Sequence, residues 1–293
     1  MHRRDAVAAL LGGVVSPLVL NLDSVAGDRT LAPDFGSIER QVAGRLGVAV
    51  LDTTTGRRLA YRADERFAMC STFKWLLGAQ ILSRADAGTE ALSRVVPYGE
   101  TDLLEYAPVT RAHVGEGGMT IRELVSAAIR YSDNTAANLL LQTVGGPASF
   151  TTYLRQLGDR ITQLDRVEPD LNSAIPGDAR DTTTPNAMVA NLRVVLLGDH
   201  LGRAARDELI GWLVGNTTGA EKLRAGLPAT WRVGDKTGMG GHGATNDVAV
   251  TWPVKRAPIL VAAYLAETKA DVAGRNDALA KVGQAVGRWV QAA

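Results

Sequence analysis

The chain has 293 residues, of which 46% are hydrophobic and 22% are charged, and its formal net charge at pH 7 is +1. This length can form one large or two modest globular domains, and the mixed charges give no support for nucleic acid or an anionic membrane as a partner. Because Cys70 is the only cysteine, an intramolecular disulfide and cysteine metal sites are excluded, and Cys70 is expected to be a small buried apolar residue.

The first 26 residues have the pattern of an export signal. Arg3 and Arg4 precede an apolar run from Ala6 to Leu20, and a small-x-small sequence ends at Ala26, where cleavage is expected. The run is shorter than the roughly 20 apolar residues of a membrane span, and an anchoring or disordered N-terminus is the alternative. We therefore expect a periplasmic or secreted protein without stable membrane association, and the arginine pair permits the twin-arginine route.

The first predicted elements of the mature chain are two strands. Gly47–Asp52 has the composition of a strand, Thr53–Gly56 that of a turn, and Arg58–Arg62 that of a returning strand. A mainly helical pattern follows from about residue 71 to residue 213, in which a capping box at residues 120–123 and the pair Thr184-Pro185 each mark a helix start. Residues 160–184 lack periodicity, and a loop of this length is usually functional or disordered.

Three more strands and a helix complete the pattern, with the strands expected at residues 231–236, 247–252 and 259–266. The predicted fold is α+β: a five-stranded antiparallel sheet flanked by helices, with the helical insertion as an all-helical lobe. The predicted boundaries are a signal over residues 1–26, a sheet domain over 27–62 and 214–293, and a helical domain over 63–213 that includes the loop 160–184. Sites favour clefts between such lobes.

Ser71-Thr72-Phe73-Lys74 is the first segment that indicates chemistry. The apolar stretch Met69–Leu82 predicts a buried helix, and positions i and i+3 of a helix lie on one face. The Lys74 amine is therefore expected to reach the Ser71 hydroxyl. Serine needs an adjacent base to become a nucleophile, and a buried lysine has a lowered pKa that suits this role. Alone, this short motif is a weak signal.

Three further segments are ordinary when each is taken alone. Ser132-Asp133-Asn134 lies between two helical patterns, where Ser132 or Asp133 could simply cap a helix. Lys236-Thr237-Gly238 ends a strand and leads into a turn, and Glu168 with Asn172 lies in the long loop, where a solvated acid is the default. The order Ser-x-x-Lys, Ser-Asp-Asn and Lys-Thr-Gly is, however, a known signature set.

With these segments the chain resembles the class A β-lactamases, over a region from about Asp34 to the C-terminal helix. The resemblance implies that Ser71 attacks the β-lactam carbonyl and forms an acyl-enzyme, that Lys74 shares in removing the proton, and that Ser132 relays a proton to the leaving nitrogen. Backbone N–H groups of Ser71 and Met239 match the family's oxyanion-hole positions.

The resemblance also implies a substrate-binding set. Lys236 and Thr237, in the Lys-Thr-Gly segment with Gly238, would meet the substrate carboxylate, and Asn134 would hydrogen-bond the acyl-amide side chain. Tyr106 matches the family's aromatic residue at the edge of the cleft, with a core tyrosine as the alternative.

Glu168 distinguishes a hydrolase from a transpeptidase, because an acyl-serine ester persists unless a base activates a water. Glu168 and Asn172 match the pair that holds this water in the family, although whether Lys74 or Glu168 is the acylation base stays open. Arg166 and Asp181 match the pair that ties the loop ends, with two surface charges as the alternative. The bond between Glu168 and its following proline is cis in the family.

The chain departs from the family pattern at Thr245, where many relatives have an arginine that binds the substrate carboxylate. Other relatives supply this cation from a position that Lys222 occupies here, so Lys222 is expected to substitute as a point charge, or else to be an exposed surface lysine. The lone Cys70 cannot form the disulfide of many carbapenem-hydrolysing relatives, which argues against strong carbapenem turnover.

The sequence therefore predicts a monomeric serine β-lactamase that hydrolyses penicillins and cephalosporins, with small-molecule β-lactam substrates, no metal and no cofactor. Two alternatives use the same serine: a D,D-peptidase-like penicillin-binding protein, against which Glu168 and Asn172 argue, and a β-lactam sensor that stays acylated. The preferred β-lactam depends on the cleft width beside Met239 and is not given by the sequence.

Overall fold

The structure is a computed structural model that describes residues 33–292. The predicted export signal lies outside these residues. The helices are α1 (Phe35–Val42), α2 (Phe73–Asp86), α3 (Ile121–Arg130), α4 (Asn134–Val144), α5 (Gly146–Gln156), α6 (Pro185–Leu197), α7 (Arg203–Val214), α8 (Leu223–Gly226) and α9 (Val272–Gln291). The strands are β1 (Arg45–Asp52), β2 (Arg58–Tyr61), β3 (Phe67–Ala68), β4 (Val95–Val96), β5 (Met119–Thr120), β6 (Thr182–Thr183), β7 (Arg232–Met239), β8 (Thr245–Trp252) and β9 (Ile259–Ala266).

A five-stranded sheet with the order β2-β1-β9-β8-β7 brings the two ends of the described chain together. Every neighbouring pair in this sheet is antiparallel, which confirms the predicted α+β fold. Short connections join β1 to β2, β7 to β8 and β8 to β9. The β1–β9 pair is instead a long-range contact, and the helical insertion lies between its two strands in the chain.

The two faces of the sheet are covered by different apolar clusters. Val48, Val50 and other residues on one face pack against α1 and α9, whereas the alternate residues Ala49 and Leu51 face the helices of the insertion. This alternation follows from the two-residue period of a strand. With both faces buried, the central strand β9 is apolar throughout and fully enclosed, as expected for a strand between two helical layers.

The helix starts agree with the sequence signals. Thr120 and Glu123 form the predicted reciprocal capping box at the start of α3, and Thr184 caps α6, which begins at Pro185. The long loop contains only a 3₁₀ turn at Asp170–Asn172 and the two residues of β6. Among residues 33–292, no helix is long and apolar enough to cross a membrane.

Candidate active site

Ser71 lies in a 3₁₀ turn, Cys70–Thr72, immediately before α2. The predicted helix over Met69–Leu82 is therefore wrong at its first turn, because α2 begins only at Phe73. The 3₁₀ turn has three residues per turn, so Ser71 and Lys74 still share a face. Cys70 has a φ of 45°, in the left-handed region that is uncommon for residues other than glycine, and this bend turns the chain from β3 into the helix.

Lys74 is completely buried, and its amine is surrounded by polar groups of the site. Its Nζ lies 2.9 Å from Glu168 Oε1 and donates to Ser132 O at 2.8 Å and to Asn134 Oδ1 at 2.6 Å. Burial lowers the pKa of Lys74, and the neighbouring Glu168 opposes this shift. Burial therefore leaves the Lys74 amine more often in its neutral, proton-accepting form than a solvated lysine amine.

The Ser71 hydroxyl donates to Glu168 Oε1 at 3.3 Å. Among the described residues this is the one hydrogen bond that the Ser71 hydroxyl makes. The expected direct contact between Ser71 and Lys74 is therefore replaced by a contact of each residue with Glu168. Ser71 is 8% exposed and lines a cavity together with Tyr106 and Met239. One carboxylate oxygen therefore faces both the nucleophile and the buried amine.

Glu168 is held by two asparagines. Its Oε2 accepts a short hydrogen bond from Asn172 Nδ2. Its backbone N–H donates to Asn138 Oδ1 at 3.0 Å, and its backbone carbonyl accepts from Asn138 Nδ2 at 2.9 Å. The Glu168-Pro169 peptide bond is cis, as the resemblance implied. Sequence reasoning gave Asn138 no role, although it lies on α4 one turn after Asn134, which is a usable signal.

The ends of the loop that carries Glu168 are tied by a buried carboxylate. Asp181 Oδ2 accepts from Arg166 Nε at 2.6 Å, and Asp181 Oδ1 accepts from the backbone N–H groups of Asp165 at 2.7 Å and Arg166 at 2.9 Å. The Asp181 side chain is 1% exposed and that of Arg166 is 19% exposed. The alternative of two independent surface charges is therefore wrong.

Ser132 and Lys236 form the opposite wall of the cleft. Ser132 follows the end of α3 with a φ of 60°, and its Oγ accepts from Lys236 Nζ at 3.0 Å. Lys236 also donates to Thr237 O at 2.8 Å. Burial, followed by the charge of Lys74, lowers the pKa of Lys236 to about 7. A lysine here can change its charge in the neutral pH range.

Asp133 has two structural tasks. It caps α4, accepting from Ala136 N–H at 2.9 Å, and it accepts from the backbone N–H groups of Val109 and Thr110, each at 2.9 Å. The capping interpretation of the sequence is thus confirmed for Asp133. The same carboxylate holds the segment that follows Tyr106, and it fixes the start of α4, where Asn134 faces Lys74.

A cavity of about 270 Å³, here called the cleft cavity, brings the expected residues together. Its lining residues are Ser71, Tyr106, Ser132, Asn134, Asn172, Thr218, Lys222, Thr237, Gly238 and Met239. Lys74, Glu168 and Lys236 lie behind this surface, each 2% exposed or less. Tyr106 is 51% exposed, so it is an edge residue of the cleft and not a core tyrosine.

Lys222 is only 5% exposed, so the alternative of a surface lysine is wrong. Its Nζ donates to Thr218 O at 3.3 Å, and Thr218 Oγ1 is hydrogen-bonded to Thr237 Oγ1 at 2.5 Å. Sequence reasoning missed Thr218, whose only signal is its position four residues before Lys222. Thr245 is completely buried and does not line the cleft cavity.

A glycine is required at position 238 because β7 passes close to the 3₁₀ turn that carries Ser71. A Cβ atom at this position would lie 2.7 Å from Met69 O and 3.2 Å from both Cys70 Cβ and Ser71 N. Any side chain would push the Ser71 turn away from the strand. Gly238 therefore sets the distance between Ser71 and Met239, the two residues whose backbone N–H groups match the oxyanion-hole positions.

The residues that the structure describes contain no group of three or more His, Cys, Asp or Glu side chains that could hold a metal ion. The groups that the geometry does bring together are a hydroxyl, two buried amines and a carboxylate. Such a set can support nucleophilic catalysis with proton transfer.

Known proteins are similar to this chain over most of its length. The family model described as the β-lactamase enzyme family matches residues 30–290. β-Lactamase AST-1 of Nocardia asteroides is 50% identical over 264 residues, covering 90% of this chain and 85% of the relative. β-Lactamase CTX-M-8 of Citrobacter amalonaticus is 44% identical over 285 residues, covering 97% of this chain and 98% of the relative.

Solved structures of class A β-lactamases are also similar to this chain in sequence and in fold. An ancestral class A β-lactamase is 59% identical with a TM-score of 0.87, covering 90% of this chain and all of the other. Similarity at this level, over nearly the whole length of each protein, includes both the sheet and the helical insertion. The chain therefore belongs to the class A β-lactamase family.

Proposed function

We propose that this serine β-lactamase hydrolyses the β-lactam amide of penicillins and cephalosporins in two steps, through an acyl-enzyme on Ser71. The family membership supports the reaction class. The contacts of Ser71, Lys74 and Glu168 support the assignment of steps. No metal or cofactor takes part in the proposed mechanism.

In the acylation step, Ser71 Oγ attacks the β-lactam carbonyl carbon while its proton passes to the base formed by Lys74 and Glu168. Ser71 and Lys74 both contact one carboxylate oxygen, since Glu168 Oε1 lies 3.3 Å from Ser71 Oγ and 2.9 Å from Lys74 Nζ. Backbone N–H groups of Ser71 and Met239 stabilise the oxyanion. Removing one donor of this kind typically costs about 2.7–4 kcal/mol of transition-state stabilisation.

Ser132 then passes a proton to the ring nitrogen as the C–N bond breaks. Its hydroxyl accepts from Lys236 Nζ at 3.0 Å, and its backbone carbonyl accepts from Lys74 Nζ at 2.8 Å. Lys236 Nζ can therefore replace the proton that Ser132 Oγ gives to the ring nitrogen, while the contact with Lys74 Nζ holds the Ser132 backbone in place.

Substrate recognition is proposed for the wall made by β7 and the segment before α8. Lys236, Thr237 and Lys222 would surround the substrate carboxylate with two cations and a hydroxyl. Asn134, which lines the cleft cavity, would hydrogen-bond the acyl-amide group, and Tyr106 would pack against the bound substrate at the cleft edge.

The observation that carries the proposal is the placement of Glu168 beside Ser71 with Asn172 on its second oxygen. In the deacylation step a water between Glu168 and the ester would lose its proton to the carboxylate and attack the acyl carbon. The bond from that carbon to Ser71 Oγ would then break as Ser71 Oγ takes up a proton, which releases the hydrolysed product. A positioned general base contributes about 10²–10⁴-fold to such a step. A peptidase or a sensor that keeps its acyl group has no use for this arrangement.

The cellular location is also a proposal. Class A β-lactamases act on antibiotics that enter from outside, and the pattern of residues 1–26 fits export to the periplasm or the medium. Mass spectrometry of the mature protein from the periplasmic fraction should show an N-terminus after Ala26.

Turnover of a chromogenic cephalosporin by purified residues 27–293 tests the function. Sustained hydrolysis, far beyond one equivalent, is expected. A single stoichiometric burst without further turnover would contradict the β-lactamase assignment and favour the sensor or the peptidase.

Glu168→Ala tests the role of the base. Intact-protein mass spectrometry should then detect an accumulated acyl-enzyme, because acylation can still use Lys74 whereas deacylation loses its base. Wild-type turnover by this variant would remove Glu168 from the mechanism.

A further inference from the structure

A groove of about 740 Å³ lies outside the cleft cavity and shares no lining residue with it. It forms where α6 crosses the sheet. The helix covers β1 and β9, and the edge strand β2 extends beyond it, so a trough remains between the helix and the edge. Its volume falls within the range of about 300–1,000 Å³ that is usual for small-molecule sites.

The groove is mainly apolar. Leu51 and Pro258 contribute from the sheet side, and α6 contributes Val189, Val194 and Leu197. Leu197 is 36% exposed, although its side chain is large and hydrophobic. An apolar surface that the fold itself leaves uncovered is a candidate contact surface for an apolar ligand.

Two arginines line this groove, one on the sheet and one on α6. Arg58 lies directly across from Leu51 in the β1–β2 register, so the two residues lie on the same face of the sheet. Arg193 lies on α6 four residues after Val189 and four before Leu197, which places it on the helix face that lines the groove. Within residues 33–292, neither guanidinium has an ion-pair or hydrogen-bond partner, and both side chains are exposed.

The other titratable groups of the groove leave it cationic. His200 Nε2 is hydrogen-bonded to Tyr153 OH at 2.9 Å, and burial lowers the pKa of His200, so it is neutral at pH 7. Asp199 also lines the groove and is exposed. Two guanidinium groups against one carboxylate leave a formal charge of +1 beside an apolar surface.

We propose that this groove binds a single-chain carboxylate amphiphile. Arg58 and Arg193 hold the carboxylate, since the guanidinium fork matches the geometry of two carboxylate oxygens. The alkyl chain lies along the apolar stripe of α6. This site is separate from the proposed β-lactam chemistry and does not depend on it.

Isothermal titration calorimetry with decanoate, kept below its micelle concentration, tests the proposal on the purified chain. One saturable site is expected. Arg58→Gln and Arg193→Gln should each weaken binding about tenfold, the scale expected for losing a hydrogen bond to a charged group. Ala190→Trp fills the groove from an exposed position of α6, and it should abolish binding.

Two control variants and an uncharged probe distinguish binding in the groove from binding elsewhere on the protein. Arg288→Gln removes an exposed arginine of α9 that is not part of the groove, and it should leave decanoate binding unchanged. Lys222→Ala removes a cation of the cleft cavity and should also leave binding unchanged. The uncharged probe 1-decanol should bind at least about tenfold more weakly than decanoate.

Each contrary result overturns the proposal. Absence of saturable binding rules out the site, and equal binding of decanol and decanoate rules out recognition of the carboxylate. Loss of binding in Lys222→Ala, with no effect of the groove variants, places the ligand in the catalytic cleft. Circular dichroism of every variant confirms that a loss of binding is not a loss of fold.

Discussion

The tie between Arg166 and Asp181 allows a quantitative prediction for the loop that carries Glu168. Removing one partner of a buried ion pair costs about 3–5 kcal/mol. Here the Arg166 side chain is 19% exposed, and two backbone N–H groups still donate to Asp181 in its absence. For Arg166→Ala we therefore expect a smaller loss of about 2 kcal/mol, the value of one hydrogen bond to a charged group. At about 2–4 °C per kcal/mol for a domain of this size, Tm should fall by about 4–8 °C.

The same variant should impair deacylation more than acylation, because Glu168 is two residues from Arg166 and a displacement of about 1 Å can cost up to about 100-fold in rate. Scanning calorimetry gives Tm, and burst kinetics with a chromogenic cephalosporin separate the two steps. Arg203→Ala is the matched control, since Arg203 is 88% exposed and pairs with Asp207, itself 65% exposed, at the surface, where a pair contributes about 0–1 kcal/mol. If the two variants had the same Tm and the same deacylation rate, the tie would have no role in holding the loop.

Three further predictions concern the cleft walls. Lys236 has a lowered pKa of about 7, so its positive charge is lost as the pH rises through neutrality. The kcat/KM for anionic β-lactams should therefore decline above about pH 7. The pH profile of Lys236→Arg should lack this decline, because arginine stays charged. Lys222→Ala should raise KM about tenfold with little change in kcat, and an unchanged KM in steady-state assays would remove Lys222 from substrate binding. Gly238→Ala should lower both Tm and the acylation rate, because its Cβ would lie 2.7 Å from Met69 O; stopped-flow acylation at the wild-type rate would show that the Ser71 turn can move aside.

The sequence predicts the sheet and the site residues well, for identifiable reasons. Strands such as β9 are continuous apolar runs, and α3 and α6 have explicit start signals in Thr120 with Glu123 and in Thr184 with Pro185, so local chemistry determines these elements. The prediction is less accurate where a tertiary contact sets the boundary. β7 continues to Met239 because β8 pairs with it along its whole length, and this pairing has no local signal.

The contacts within the site could be predicted only in part. Ser71 and Lys74 are three residues apart, so their proximity follows from helical geometry. Glu168 is 97 residues from Ser71, and no spacing rule indicates that its carboxylate receives the hydroxyl. Asn138 and Thr218 act through their positions in space, on a helix and in a loop. The division of the chain into a sheet domain and a helical domain stays a prediction.

The buried thiol of Cys70 can be used to measure how often the turn beside Ser71 opens. This thiol is the only one in the chain, it is completely enclosed, and burial raises its pKa to about 12. At pH 8 only roughly one thiol in ten thousand would be ionised, and thiolate is the species that reacts with alkylating reagents. Alkylation of the native enzyme therefore measures how often the turn beside Ser71 opens. Comparing the alkylation rates of free and acylated enzyme would show whether the covalent intermediate makes the turn beside Ser71 open less or more often, with no substitution introduced.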